Sequence, residues 1–180
     1  MSNNSGNQIN AGIIHQSAIT QQIGSSPQST PAEAKLKMSV FISYRRSASN
    51  ILAQSLAAEL EKHIEGEVFL DRTGLGAGAF PESLDEALKR CQIVVLLVGP
   101  GTLDTPRLFQ ENDWVRRELR TALISQKPIL QVAEDQTEFA HKYMLPDDLE
   151  GLKKMHGVRL YTDQLHRSMM NVVDALANTL

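Results

Sequence analysis

The run Ile93-Val-Val-Leu-Leu-Val98 contains no polar side chain, and no other stretch constrains the fold so tightly. Side chains alternate between the two faces of a strand, so a strand that is apolar throughout has to be covered on both. Helices laid on either side of a parallel sheet provide that cover. The flanking sequence alternates accordingly. Residues 39–44 and 68–71 read as two earlier strands, and residues 129–132 and 158–161 as two later ones. Between them, Ile51, Leu52, Ser55, Leu56 and Leu60 recur at helical spacing, and Pro81 suits the first turn of a helix that puts Leu84 and Leu88 on one face. A third helix is expected over 113–124, and a last one with Leu165, Met169, Val172, Val173 and Leu176 inward. The stretch between the last two strands is poorly patterned. This order predicts a doubly wound parallel α/β sheet over residues 38–180.

Residues 1–37 are of another kind. No Asp, Glu, Lys or Arg occurs in 1–32, where Asn, Gln, Ser and Thr dominate and isoleucine recurs at Ile9, Ile13, Ile14, Ile19 and Ile23. Pro27 and Pro31, set among Ser, Thr and Gln, make 25–31 a linker. Low complexity without charge reads as a disordered extension. The same residues also suit self-assembly, because stacked strands can pair Asn and Gln in ladders and pack Ile in dry zippers.

The whole chain has a net charge of −3 and no basic stripe, which argues against nucleic acid as a partner. No apolar run approaches the roughly eighteen residues of a membrane span, and the start lacks the basic and apolar parts of a secretory signal, so a cytoplasmic protein is expected. Cys91 is the only cysteine and reads as a small core residue. His15, His63, His141, His156 and His166 show no mutual metal spacing, and no metal site is expected.

In doubly wound sheets ligands bind outside the carboxyl ends of the strands, where the chain order switches sides. That rule points to Tyr44, Arg45 and Arg46, to 71–80, and to 99–101. These ends lack the acidic cluster a phosphoacceptor receiver needs. They also lack a Gly-x-Gly-x-x-Gly after the first strand, since Gly74, Gly76 and Gly78 follow the second.

Four ordered motifs carry a resemblance: Phe-Ile-Ser-Tyr-Arg-Arg at 41–46, Leu-x-Ala-Gly-x-Phe at 75–80, Gly-Pro-Gly-Thr-Leu-Asp at 99–104 and Asp-Trp-Val-x-x-Glu at 113–118. With them the chain resembles the TIR (Toll/interleukin-1 receptor) domain family, and in particular its NAD-cleaving branch, which includes an animal axon-degeneration NADase and bacterial antiviral proteins. The resemblance implies a flavodoxin-like, doubly wound, five-stranded parallel sheet. It also implies an NAD glycohydrolase that releases nicotinamide and either ADP-ribose or a cyclic isomer, in immune or cell-death signalling. Glu118 is then the catalytic carboxylate. Substrate contacts fall to Tyr44, Arg45, Arg46 and Gly99, to Asp71, Leu75, Gly78 and Phe80 of the loop after the second strand, and to Trp114. NAD is the substrate, no cofactor is implied, and self-association through TIR domains is.

Each residue also has a plainer reading. A Glu near a helix start among Arg116, Arg117 and Arg120 is usually solvated. Trp114 could be core packing, Arg45 and Arg46 surface charges, and Phe80 a staple for the next helix. Asp71 suits organising its loop better than chemistry. The competing function is a non-catalytic TIR adaptor acting by assembly; an adaptor has no need of a Glu four residues after the Trp.

Overall fold

The computed structural model describes residues 35–70 and 81–179, with the backbone alone for 81–84. Its strands are β1 (Val40–Tyr44), β2 (Val68–Leu70), β3 (Ile93–Val98), β4 (Ile129–Glu134) and β5 (Gly157–Leu160). The helices are α1 (Arg46–His63), α2 (Pro81–Arg90), α3 (Trp114–Ile124) and α4 (Leu165–Ala177). All strands are parallel, in the order β2-β1-β3-β4-β5. This is the five-stranded, doubly wound sheet expected from sequence, and the order reverses between β1 and β3.

Strand alternation sorts the side chains into two cores. Val40, Ile42 and Tyr44 of β1, Val95 and Leu97 of β3, and Val132 of β4 pack with Ala53, Leu56 and Leu60 of α1 and with Met169, Val172 and Leu176 of α4. Phe41, Val94, Leu96 and Val98 pack on the opposite face with Leu88 of α2 and with Val115, Leu119 and Ala122 of α3. β3 is buried along its whole length, as its composition requires. Each large side chain buried in this way contributes about 1.5–3 kcal/mol.

Three local expectations are revised. Ile51 is 83% exposed. The inward stripe of α1 is Ala53, Leu56, Ala57 and Leu60, and Ile51 lies on the far side of that helix. The poorly patterned stretch holds two 3-10 helices, Ala140–Lys142 and Asp147–Lys154, whose Ala140, Leu149 and Leu152 complete the α3-side core. Gln131 is buried beneath them and fully used: it donates to the Leu152 and Met155 carbonyls and accepts from Ala140 N. Finally β1 begins at Val40, because Ser39 Oγ accepts from Glu67 N. Cys91 is buried, and that burial pushes its thiol pKa up, as suits an inert core residue.

Of the tail expected over residues 1–37, residues 1–34 lie outside the described residues, as does the loop over 71–80, while Leu36 pairs with Ile64 and packs against the α1-side core. Among the described residues no helix is long and apolar enough to cross a membrane.

Gly99, just past β3, is required by space rather than by its backbone angles. A Cβ there would collide with Ser49 Oγ and Glu134 Oε1, which are hydrogen-bonded to each other over it. Both obstacles are side-chain tips, so an added methyl breaks this pair instead of displacing backbone. Gly99→Ala is expected to cost about 1–3 kcal/mol, read as a lower urea midpoint. An unchanged midpoint would show that the Ser49–Glu134 contact is dispensable.

Candidate active site

The parity of β1 builds the site. Phe41, Ser43 and Arg45 share the α3 side, and along them the chemistry runs from apolar to hydroxyl to guanidinium. Phe41 belongs to the core. Ser43, 1% exposed, donates from Oγ to Glu118 Oε2 at 2.6 Å. Arg45, 7% exposed, meets Asp113 with Nη1 to Oδ2 at 2.5 Å and Nη2 to Oδ1 at 3.3 Å. Nη2 also reaches the Thr102 carbonyl at 3.3 Å, while the buried Nε has no hydrogen-bond partner.

Asp113 is the N-cap of α3 and accepts from Arg116 N at 3.0 Å. Arg107 approaches the same carboxylate at 3.3 Å. One buried side chain therefore satisfies a helix end and a guanidinium together. Beyond it Arg116 donates to the Phe109 carbonyl at 2.8 Å and pairs with Asp148 at 3.1 Å and Glu111 at 2.9 Å. Beside Asp148, Arg116 is held still further above the ordinary guanidinium range.

Val115, Leu119 and Ala122 make the apolar stripe of α3, and Glu118 stands in it at 9% exposure. The solvated reading of Glu118 is therefore wrong, because the helix face on which it lies is the one turned to the sheet. Trp114 is 37% exposed, which removes the core-packing reading. The Arg117 guanidinium lies 4.7 Å from the centre of its ring.

Tyr44 faces the other core, with its hydroxyl donating to Asn50 Oδ1 at 3.2 Å. Arg46 is the first, half-buried residue of α1. Gly99 closes β3, and its N–H donates to Thr102 Oγ1 at 3.1 Å, the turn continuing through Gly101 at φ +71°. Tyr44, Arg45, Arg46 and Gly99 thus lie at the carboxyl ends of β1 and β3, next to the start of α3. Asp71, Leu75, Gly78 and Phe80 are outside the described residues. An open groove lined by Phe109, Glu111, Leu145 and Asp147 contains none of the candidates.

Sequence reasoning overlooked Ser43, Asp113 and Glu134. The signal for the first was present: a serine in the middle of a strand otherwise apolar up to its end. Two histidines are closer than their sequence spacing suggests, since His63 and His166 approach Glu59 Oε1 at 3.4 and 3.9 Å. The Lys62 hydrogen bond is the main cause that lowers the Glu59 carboxyl below its usual range. Among the described residues no group of His, Cys, Asp and Glu could hold a metal ion.

The family model described as TIR domain matches residues 40–169. The NAD(+) hydrolase tir-1 of Caenorhabditis elegans is 31% identical over 175 residues, covering 93% of this chain and 17% of that protein. The NAD(+) hydrolase SARM1 of Danio rerio is 34% identical over 122 residues, 67% of this chain and 17% of its own. The chain thus spans less than a fifth of these relatives' length. Among solved structures, the TIR domains of the activated Roq1 resistosome superpose with a TM-score of 0.54 at 15% identity, covering 78% of this chain and 99% of that one. That likeness shows the fold.

The Arg45–Asp113 pair generates a stability prediction. Asp113→Ala removes the cap and leaves a buried guanidinium uncompensated, an expected loss of about 3–5 kcal/mol. Asp113→Asn keeps an acceptor for Arg116 N and should lose clearly less. Urea unfolding of the two variants decides; equal losses would mean that the charge of Asp113 contributes nothing.

Proposed function

The chain belongs to the TIR domain family, and from that premise we propose that it is an NAD glycohydrolase cleaving the bond between nicotinamide and ribose. The observation that supports this most directly is Glu118, a carboxylate buried on the α3 stripe beside the carboxyl half of β1. NAD carries its nicotinamide as a cation. The ring leaves as a neutral molecule, taking the bonding electron pair, once the positive charge developing on the ribose is held. A carboxylate beside the sugar supplies that stabilisation and needs no metal. In surroundings of low dielectric its attraction for the oxocarbenium ion is stronger than in water. Water adding at the same carbon, with loss of a proton, gives ADP-ribose. Attack from within the molecule gives a cyclic isomer.

Trp114, one helical turn before Glu118 and partly exposed, offers a flat face to a base or to the nicotinamide ring. In the proposal Arg46 and Gly99, with Arg45 behind them, form the strand-end side of the pocket, to which Tyr44 adds backbone alone because its side chain packs in the other core, and Asp71, Leu75, Gly78 and Phe80 are assigned to its loop side. The proposal includes assembly: neighbouring TIR domains, brought together in part by the 3–24 segment, complete one another's sites, and the activity serves immune or cell-death signalling. The names NAD(+) hydrolase carried by the relatives support the choice of substrate.

The test is to incubate the purified protein, at a concentration high enough to assemble, with NAD and follow nicotinamide release. Glu118→Gln is expected to lower the rate by about 100- to 1000-fold while circular dichroism and melting show a folded protein. Near-normal release by that variant would remove Glu118 from the chemistry; no release by the concentrated wild type would favour the adaptor.

A further inference from the structure

Glu134 ends β4 on the face it shares with Leu130 and Val132, the α1 side of the sheet. Its carboxylate reaches over Gly99 at the end of β3, and Oε1 accepts from the hydroxyl of Ser49, which is 2% exposed at the kink in α1. The group therefore lies between the chain leaving β1 and the chain leaving β3. There the strand order reverses, and there sheets of this kind take their ligands. Among the described residues no cation pairs with Glu134, and its Oε2 has no hydrogen-bond partner. A half-buried carboxylate with one oxygen unused costs free energy that packing does not repay. Resting on the glycohydrolase reading, we infer that Glu134 is a specificity residue of the reaction: Oε2 accepts from a hydroxyl of the adenosine ribose of NAD and excludes a phosphate at that position.

NAD carries two riboses, joined through its diphosphate. Glu118 stands on the α3 side of the sheet and Glu134 on the α1 side, so one sugar cannot meet both. With the nicotinamide ribose at Glu118, the adenosine ribose is left for Glu134. A carboxylate only accepts hydrogen bonds; it suits a hydroxyl and repels a phosphate. NADP differs from NAD by a phosphate on the 2′ hydroxyl of that same ribose. The acceptor is also held in place. Ser49 fixes the carboxylate, Thr137 Oγ1 donates to the Val98 carbonyl at 2.7 Å, and Arg159 Nη1 donates to the Asp135 and Thr137 carbonyls at 3.1 and 2.6 Å. These bonds tie the chain after β4 to the ends of β3 and β5, and a side chain already ordered loses little freedom when a sugar binds.

The experiment measures kcat and KM of the full chain for NAD and for NADP, in the wild type and in Glu134→Gln, which keeps the shape and an acceptor for Ser49. The wild type is expected to prefer NAD by at least about 10-fold in kcat/KM. In Glu134→Gln the KM for NAD should rise roughly 10-fold, the KM for NADP should fall, and the preference should largely vanish. Ser49→Ala, which releases the carboxylate without neutralising it, should keep the rejection of NADP and bind NAD less tightly. A wild type that cleaves both dinucleotides equally well overturns the inference and leaves the glycohydrolase reading standing. So does a preference that survives in Glu134→Gln, or one lost as fully in Ser49→Ala. A wild type inactive on both substrates sinks the glycohydrolase reading instead. Calorimetric titration with ADP-ribose and with its 2′-phosphate then reads the selection without turnover: tighter binding of ADP-ribose that Glu134→Gln abolishes supports the role of Glu134, and equal binding of the two overturns it.

Discussion

A buried guanidinium–carboxylate pair, Arg45 with Asp113, joins the end of β1 to the start of α3, and the position of the candidate carboxylate follows from it. The apolar stripe of α3 fixes how deeply the helix sits on the sheet, but Val115, Leu119 and Ala122 tolerate sliding along it, because dispersion and burial are not directional. A two-point contact between a planar guanidinium and a carboxylate is directional. Since Asp113 also caps the helix, the pair sets the first turn of α3 against the last residues of β1. Glu118 then arrives opposite Ser43, two strand residues before Arg45. The same register thus serves the helix end, the buried charge and the proposed chemistry.

Such an arrangement stabilises the domain less than apolar residues would. Desolvating charged groups is expensive, and their mutual attraction only partly offsets it. The amino-terminal two-thirds of the sheet supplies what the carboxyl edge lacks. Val40, Ile42, Val94, Val95, Leu96 and Leu97 are fully or almost fully buried, and the two cores meet helices on both faces. Apolar packing and the candidate site are therefore separated along the strand axis. Residues low on β1 and β3 belong to packing alone, and the buried polar contacts, Ser43 with Glu118, Arg45 with Asp113 and Ser49 with Glu134, gather at the carboxyl ends.

Much of the fold was legible because its signals are local and redundant. The apolar run 93–98 specified a strand covered on both faces, and the stripe Leu165, Met169, Val172, Val173 and Leu176 specified α4; only Leu165 of these is merely half buried. Ile51 was misplaced because hydrophobicity at helical spacing does not reveal which of two overlapping stripes meets the sheet, and alanines 53 and 57 carry that contact. The 3-10 helices after β4 have no period that a pattern reader tests. At the site, Glu118 and Trp114 could be picked out by motif, but their burial could not: flanking arginines made Glu118 look solvated, and only the parity of β1 brings a hydroxyl to it. Asp113 was legible as a helix start and illegible as the partner of Arg45, since that contact spans sixty-eight positions.

The adjacent arginines show how strand geometry divides what sequence leaves equivalent. Neighbouring residues at the end of an extended strand point to opposite sides, so Arg45 and Arg46 cannot both face Asp113. The structure gives the inward place to Arg45, at 7% exposure, and makes Arg46 the half-buried first residue of α1. Both terminal nitrogens of Arg45 are engaged by Asp113 or by Thr102, and an anion competing for them would have to release the N-cap of α3 and with it the register of Glu118. Arg45 is therefore assigned to holding the helix that carries the carboxylate and not to the diphosphate of NAD. The Asp113 carboxylate itself caps the start of α3, which makes that terminus less attractive to an outside anion than a bare one would be.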